Sequence, residues 1–376
     1  MTTAVVAVVG ALPFAKDLQM TERRAGALAI LEALTDAGLR PADVDGMVRS
    51  VWERTTEIEM ARVLGAGNLR YFGAVDYGGG AGAPIVAQAA MAIEHGVAEV
   101  VVVWRARNRG SGGRPWAGQM LAEGQDQFER PHGLVRPVDG MALLARWWMH
   151  RYGWSREDLA QVALSQREYA LGNPSAIMRK PMTMDDYLSA RMVAEPLCLF
   201  DCCLETDGAL ALVLTSAERA TAIAAQHRPV AVTGYAWGSG TDTYAMNSFY
   251  SEELGTTPAR DVALQLWRRS GLSAHDMSVA QLYDGFSPQV LIQLHEYGFC
   301  DEGAGPDYLR SPGGVPVNTS GGGLSEAYVH GFNLLVEGVR QVRGDAANQV
   351  ADVQHSLVTS GNVVPTGAVV FSRWTP

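Results

Sequence analysis

Cysteine is scarce in this chain, with four residues among 376: Cys198, Cys202, Cys203 and Cys300. Three of them crowd the segment L-C-L-F-D-C-C, whose spacings match no C-x-x-C metal pair. They are expected to be buried free thiols in a reducing cytoplasm. The histidines are scattered without an H-E-x-x-H or similar ligand set, so no metal is expected. Positive charge is in deficit: the formal net charge is −10, which excludes a general nucleic-acid or polyanion binder. No apolar run approaches the ~18 residues that a membrane helix needs. The opening M-T-T-A-V-V-A-V-V-G has no basic region ahead of its apolar stretch and reads as a first buried strand, not a signal peptide. The remaining composition, 47% apolar and 19% charged, is that of an ordinary soluble enzyme. The length allows one large α/β unit or two similar halves.

Glycine, in contrast, is concentrated in two informative places. Val75 to Ile93 reads V-D-Y-G-G-G-A-G-A-P-I-V-A-Q-A-A-M-A-I, a glycine turn opening into an apolar, alanine-rich helix. Val317 to Gly331 reads V-N-T-S-G-G-G-L-S-E-A-Y-V-H-G, a near echo. Helix N-termini stabilise negative charge, and closely approaching glycine backbones can donate to an oxyanion. The first turn holds no Cys, Ser or Thr from Tyr77 to Gly82, which argues against covalent chemistry there.

The pattern along the chain is that of an α/β protein. Residues 4–10 form an apolar strand. Thr21 caps a helix over Glu22–Ala37, with Leu28, Leu31 and Leu34 as its apolar stripe. Gly38 stops it. Ala98–Val103 is a strand of the buried type. A later helix over Asp261–Ser270 is stopped by Gly271, and L-S-A-H-D-M follows it as L-R-P-A-D-V follows Gly38. The stop glycines and the glycine turns recur at nearly one offset, which predicts a tandem duplication. Residues 1–110 and 190–225 are expected to form the first half and 226–376 the second. Residues 111–189, with Gly/Arg-rich sequence and helices at Met141–Tyr152 and Arg156–Leu171, are expected to be an inserted cap.

Four motifs carry a resemblance that spans essentially the whole chain. Gly79 stands ahead of the first alanine-rich helix; Y-D-G-F runs from Tyr283 to Phe286; G-G-G-L-S-E-A-Y-V-H-G contains Tyr328; T-S-G runs from Thr359 to Gly361. These resemble the thiolase superfamily, in its lipid-transfer-protein branch. The resemblance implies two βαβαβαββ-type halves in an α-β-α-β-α layering. Aligned so, Gly79 takes the place of the nucleophilic Cys. Tyr328 takes that of the G-H-P-x-G His, and Tyr283 that of the His or Asn in H-D-x-F or N-E-x-F. Thr359 takes that of the C-x-G Cys. This set of substitutions is similar to that of the thiolase-like subunits of actinobacterial steroid side-chain retro-aldolases. It implies cleavage of a 17-hydroxy C22 steroid thioester to androstenedione and propionyl-CoA. It also implies a homodimer and a small OB-fold acyl-CoA-binding partner, often joined to a hydratase. No cofactor is expected apart from the CoA of the substrate.

Retro-aldol cleavage of a β-hydroxy thioester needs a base for the hydroxyl, donors for the thioester enolate and an acid for the α-carbon, but no nucleophile. Tyr283 and Tyr328 are expected to share the base and acid roles, in either assignment. An unperturbed phenol pKa near 10 would then have to be lowered. Gly79 is expected to make room for a bulky tertiary alcohol, and Gly321, Gly322 and Gly323 to offer N–H groups to the thioester oxygen. Asp284 and His330 read as structural. Ser287-Pro288 reads as an N-cap and first helical residue. Arg105, Arg107, Arg109 and Arg114 are open between CoA phosphates and a solvated loop or subunit contact. The alternative function is a non-catalytic acyl-CoA or lipid binder, to which a glycine at the nucleophile position is equally suited. A relocated nucleophile would have to be Cys300.

Overall fold

The computed structural model describes residues 3–114, 122–223, 228–241, 255–361 and 365–374. The boundary expected at residue 225 and part of the Gly/Arg-rich segment (115–121) lie outside the described residues. The first strands and helices are β1 (Ala4–Ala11), α1 (Glu22–Asp36), β2 (Gly46–Ser50), α2 (Glu57–Leu64), β3 (Tyr71–Val75), α3 (Gly82–Glu94) and β4 (Val100–Asn108). Next come α4 (Asp126–Glu129), α5 (Pro137–Tyr152), α6 (Arg156–Gly172), α7 (Met184–Leu188), β5 (Met192–Ala194) and β6 (Leu197–Cys198). Then follow β7 (Asp207–Ser216), α8 (Ala217–Ile223), β8 (Val230–Gly238), α9 (Ala259–Ser270), β9 (Val279–Gln281) and α10 (Ser287–Glu296). The chain closes with α11 (Gly305–Arg310), α12 (Phe332–Arg343), β10 (His355–Ser360) and β11 (Thr366–Arg373).

The strand order exposes the duplication. One hydrogen-bonded sheet runs β3-β2-β4-β7-β1-β8-β11-β10-β9. Outward from its middle, the first half runs β1, β7, β4, β2, β3. The second runs β8, β11, β10, β9, and then a single parallel bridge from Ala280 to Val317 stands where a fifth strand, the counterpart of β3, would. Parallel and antiparallel pairings follow the same order in both halves. β1 and β8 share only two residue pairs, so the halves join at a narrow seam.

Side-chain alternation turns this sheet into layers. Val101 and Val103 of β4 pack with α3 and α12, together with Val358, Val369 and Phe371 of the second half. Val100, Val102 and Trp104 face α1 on the opposite side. Leu357, Ala368 and Val370 face α9, α10 and the inserted helices. Both α3 and α12 touch strands of both halves, which places them between the two. The order is therefore helix, sheet, helix, sheet, helix. β5 and β6 pair with each other, and Leu197 and Cys198 join the cluster of α5 and α6, so the first half resumes at β7 and not at residue 190.

The stripe expected on α1 is not the buried one. Leu28 and Leu31 are each 37% exposed, whereas Ala25, Ala29, Ile30, Ala33 and Leu34 are buried. The reason is close approach to β1: a Cβ on Gly10 would overlap the Ala29 carbonyl, so small residues face the sheet. Thr21 caps this helix as expected, accepting from Arg24 N–H. Among the described residues no helix is long and apolar enough to cross a membrane.

Candidate active site

The site forms where the two glycine turns and the end of β9 converge. β9 stops at Gln281, because the side chain of Asn318 takes over from the ladder. Its Oδ1 accepts from Leu282 N–H at 2.7 Å and its Nδ2 donates to Leu282 C=O at 2.9 Å. This sends Tyr283 into the interior, where its phenol oxygen lies 2.5 Å from that of Tyr328. The rings cross at 62°, and the residues are 8% and 7% exposed. Positions 45 residues apart in sequence thus form one hydrogen-bonded pair.

Gly79 belongs to this pair in an unexpected way. A Cβ at Gly79 would overlap the Tyr283 phenol oxygen. The volume that a nucleophile's side chain would need is filled by Tyr283, not held open for substrate. Gly331 has a φ of 74° and its Cβ would come within 2.8 Å of Tyr283 Cδ2, so it closes the same box.

The second glycine turn also differs from expectation. Gly323 N–H donates to Asp284 Oδ2 at 2.6 Å, Gly322 N–H to Ser320 Oγ at 3.3 Å and Gly321 N–H to Asn318 C=O at 2.9 Å. The donors expected to meet a thioester oxygen are engaged within the protein. Gly321 and Gly322 take φ values of 103° and 57°, and a Cβ on Gly322 would overlap Asp284. Glycine is thus needed at this turn for backbone shape and for the approach of Asp284. Asp284 is fully buried, and burial pushes its carboxyl up to about 7 against the pull of the Gly323 N–H. Its Oδ1 and the Gln166 amide lie together without a well-formed bond.

Both phenols are raised, not lowered. Burial dominates at each; the bond from Tyr328 partly offsets it at Tyr283, while the charge of Tyr283 adds to it at Tyr328. The glycine-turn helix start does not create a resting phenolate. Cys203, which the sequence pattern did not single out, lies close enough to act electrostatically on both tyrosines. Burial pushes its thiol up to about 12, so it faces the pair uncharged. No spacing signal marks it; only the bond from Cys203 N–H to Gly285 C=O, at 3.1 Å, brings it there.

Behind Tyr328 stands a charged cluster. His330 packs edge-on to the Tyr328 ring with centroids 5.5 Å apart. Its Nδ1 contacts the Arg105 guanidinium and its Nε2 lies 3.4 Å from Arg109 Nη1. Arg105 is 2% exposed and pairs with buried Glu53 at 2.8 Å, and Arg107 donates to Trp52 C=O at 2.7 Å. These two arginines serve the interior and do not reach outward to phosphates. Arg114 pairs with Glu205 at 3.0 Å on the surface. Cys300 packs in the apolar cluster of α5 and α10. Ser287 is the first residue of α10, with Phe286 at the cap, because its hydroxyl bonds to Asp201. Among the described residues no group of three or more His, Cys, Asp or Glu is arranged to hold a metal.

Known proteins resemble this chain in sequence and fold. Residues 238–372 match the thiolase C-terminal domain-like family. The chain is 44% identical to the 17-hydroxy-3-oxo-4-pregnene-20-carboxyl-CoA lyase of Mycobacterium tuberculosis, across 98% of both proteins. The chain belongs to the thiolase superfamily, among the steroid side-chain-cleaving aldolases. It is also 43% identical to the steroid side-chain-cleaving aldolase of Thermomonospora curvata, covering 98% of this chain and 97% of the relative. A solved Ltp2-ChsH2(DUF35) aldolase superposes with a TM-score of 0.93 at 42% identity, covering 99% of this chain and 98% of that one.

Proposed function

We propose that this chain is the catalytic, thiolase-like subunit of a carbon–carbon lyase. It cleaves 17-hydroxy-3-oxo-4-pregnene-20-carboxyl-CoA by retro-aldol reaction to androstenedione and propionyl-CoA. The observation that carries this reading is the 2.5 Å pair of phenols standing in the space of the missing nucleophile. The near full-length identity to two steroid side-chain lyases supports it.

The reaction balances without a charged tyrosine. The alcohol loses its proton, the carbon–carbon bond gives its electrons to the thioester enolate, and the α-carbon regains a proton. One phenol accepts the hydroxyl proton while passing its own to the other, which delivers it to the α-carbon. Both end as neutral phenols, so the raised values at Tyr283 and Tyr328 keep the pair in the state the relay starts from. No redox or electrophilic cofactor is required beyond the CoA that the substrate carries. Either tyrosine can face the hydroxyl.

A small OB-fold acyl-CoA-binding protein is proposed as partner, since the superposing aldolase pairs its thiolase-like chain with a DUF35 protein. A homodimer across the β3 edge is proposed as well. That edge strand carries exposed Phe72, with Val51, Trp52, Ile58 and Val63 nearby, each between 41% and 57% exposed.

The test is incubation of the protein and its OB-fold partner with the steroid thioester, read by mass spectrometry for ketone and propionyl-CoA. Tyr283→Phe and Tyr328→Phe should each lower kcat by roughly 10²–10⁴-fold, the usual share of acid–base groups. Retention of the intact thioester without cleavage would instead establish a binding protein.

A further inference from the structure

Neither tyrosine of the pair lies in a regular element. Tyr283 comes after the end of β9, and Tyr328 lies between the second glycine turn and α12. No ladder or helix holds their backbones, yet a relay across 2.5 Å tolerates little displacement. Threonine hydroxyls do the holding instead. Tyr283 N–H donates to Thr359 Oγ1 at 2.7 Å. Thr359 Oγ1 donates to Gln293 Oε1 at 2.5 Å, and Gln293 Nε2 returns to Tyr283 C=O at 2.7 Å. Tyr328 N–H donates to Thr206 Oγ1 at 3.0 Å, and that hydroxyl donates back to Tyr328 C=O at 3.3 Å.

Every proton in these two rings is assigned. A backbone N–H can only donate, so each hydroxyl must accept from it and spend its single proton on the remaining acceptor. Thr359 is 0% and Thr206 2% exposed, so both hydroxyls are shielded from bulk solvent. The threonines come from different places: Thr359 from β10, Thr206 from just before β7. Each half of the fold therefore clamps one tyrosine, and the two phenols meet between the clamps.

We infer that Thr359, acting with Gln293, and Thr206 are positioning residues that set the phenol–phenol distance of the pair. This rests on the retro-aldolase reading for its kinetic consequence but not for its geometric one. Valine at either position keeps the shape: at 206 it leaves the N–H and C=O of Tyr328 unpaired, and at 359 it leaves Tyr283 N–H and Gln293 Oε1 unpaired, whereas serine keeps the hydroxyl.

The experiment uses the full chain with its OB-fold partner and the steroid thioester. Thr359→Val and Thr206→Val should each lower kcat by ~10–100-fold with KM nearly unchanged, as expected for sub-ångström misplacement of catalytic groups. Thr359→Ser and Thr206→Ser should stay within a few-fold of the parent. Parental kcat in folded valine variants, or folded serine variants as slow as the valine ones, overturns the inference. If the parent complex cleaves no thioester, the functional reading fails alone, and the crystal structure of Thr359→Val decides the geometry. Phenol oxygens drawn out of hydrogen-bond reach support positioning; the unchanged pair overturns it.

Discussion

At the scale of single residues, the proposed site rests on one glycine and two tyrosines. Replacing the nucleophile by Gly79 does more than remove a thiol, because Tyr283 uses the vacated volume. Restoring the cysteine should therefore not restore a thiolase. Gly79→Cys is expected to displace the Tyr283 phenol, abolish carbon–carbon cleavage and form no stable acyl-enzyme on incubation with an acyl-CoA. The overpacking should cost about 1–3 kcal/mol of stability. Denaturant unfolding checks the stability and intact-protein mass spectrometry the acylation; a cleaving or acylated variant would refute the argument. The identities of Gly79, Tyr283 and Tyr328 were legible in the sequence, because each falls in a recognisable motif. Their mutual contact was not, since the ring of Tyr283 fills a volume that only the folded glycine turn defines.

At the scale of elements, α6 of the insertion is part of the site's frame. Arg167 Nε donates to Ser325 Oγ at 3.1 Å. Just past the helix, Asn173 Nδ2 donates to Ser320 C=O at 2.9 Å and to Glu326 Oε1 at 3.1 Å. These bonds pin the segment from Ser320 to Glu326 that carries the second glycine turn, and hence Tyr328 two residues beyond Glu326. Asn173→Ala removes both donations from a buried carbonyl and a buried carboxyl. It is expected to destabilise the protein by about 1–3 kcal/mol and to lower kcat; an unaltered melting temperature and rate would show the clamp to be dispensable. The helices themselves were readable from periodicity and caps, but their contacts were not. The leucines of α1 suggested a stripe, yet of the three only Leu34 is buried, and alanines face β1 where the helix approaches it most closely. The start of α10 moved by one residue for a similar reason: Ser287 is drawn to Asp201, a partner distant in sequence.

At the scale of the whole molecule, buried carboxyls couple stability to pH. Burial pushes Asp284 and Glu326 up to about 7 and Glu296 up to about 8. Unfolded carboxyls titrate near 4, so between that value and 7–8 the folded chain binds more protons than the unfolded one. Their contribution is complete below about 4 and is lost as pH rises through 7 and 8. Burial lowers His295 to about 4, which opposes this trend only up to the ordinary histidine range near 6.5. The melting temperature should therefore fall between pH 6.5 and 8.5, the unfolding free energy dropping by at most ~1.4 kcal/mol per pH unit for each carboxyl still protonated in the fold. A flat or rising calorimetric profile over that range would contradict it. The proposed dimer is tested at the same scale: Phe72→Asp should halve the mass seen by light scattering, while a mass unaffected by it would place the subunit contact elsewhere. The sequence by itself determined the α/β class, the duplication, the family and the loss of the nucleophile, because periodicity, stop glycines and motif residues are local properties of the chain. Only the tertiary structure decided that Tyr283 occupies the nucleophile's place, that the Gly321–Gly323 donors are engaged within the protein by Asn318, Ser320 and Asp284, and that Arg105 and Arg107 are internal. Each of these depends on which distant groups compete for one small volume or one hydrogen bond, and that competition exists only once both halves have folded together.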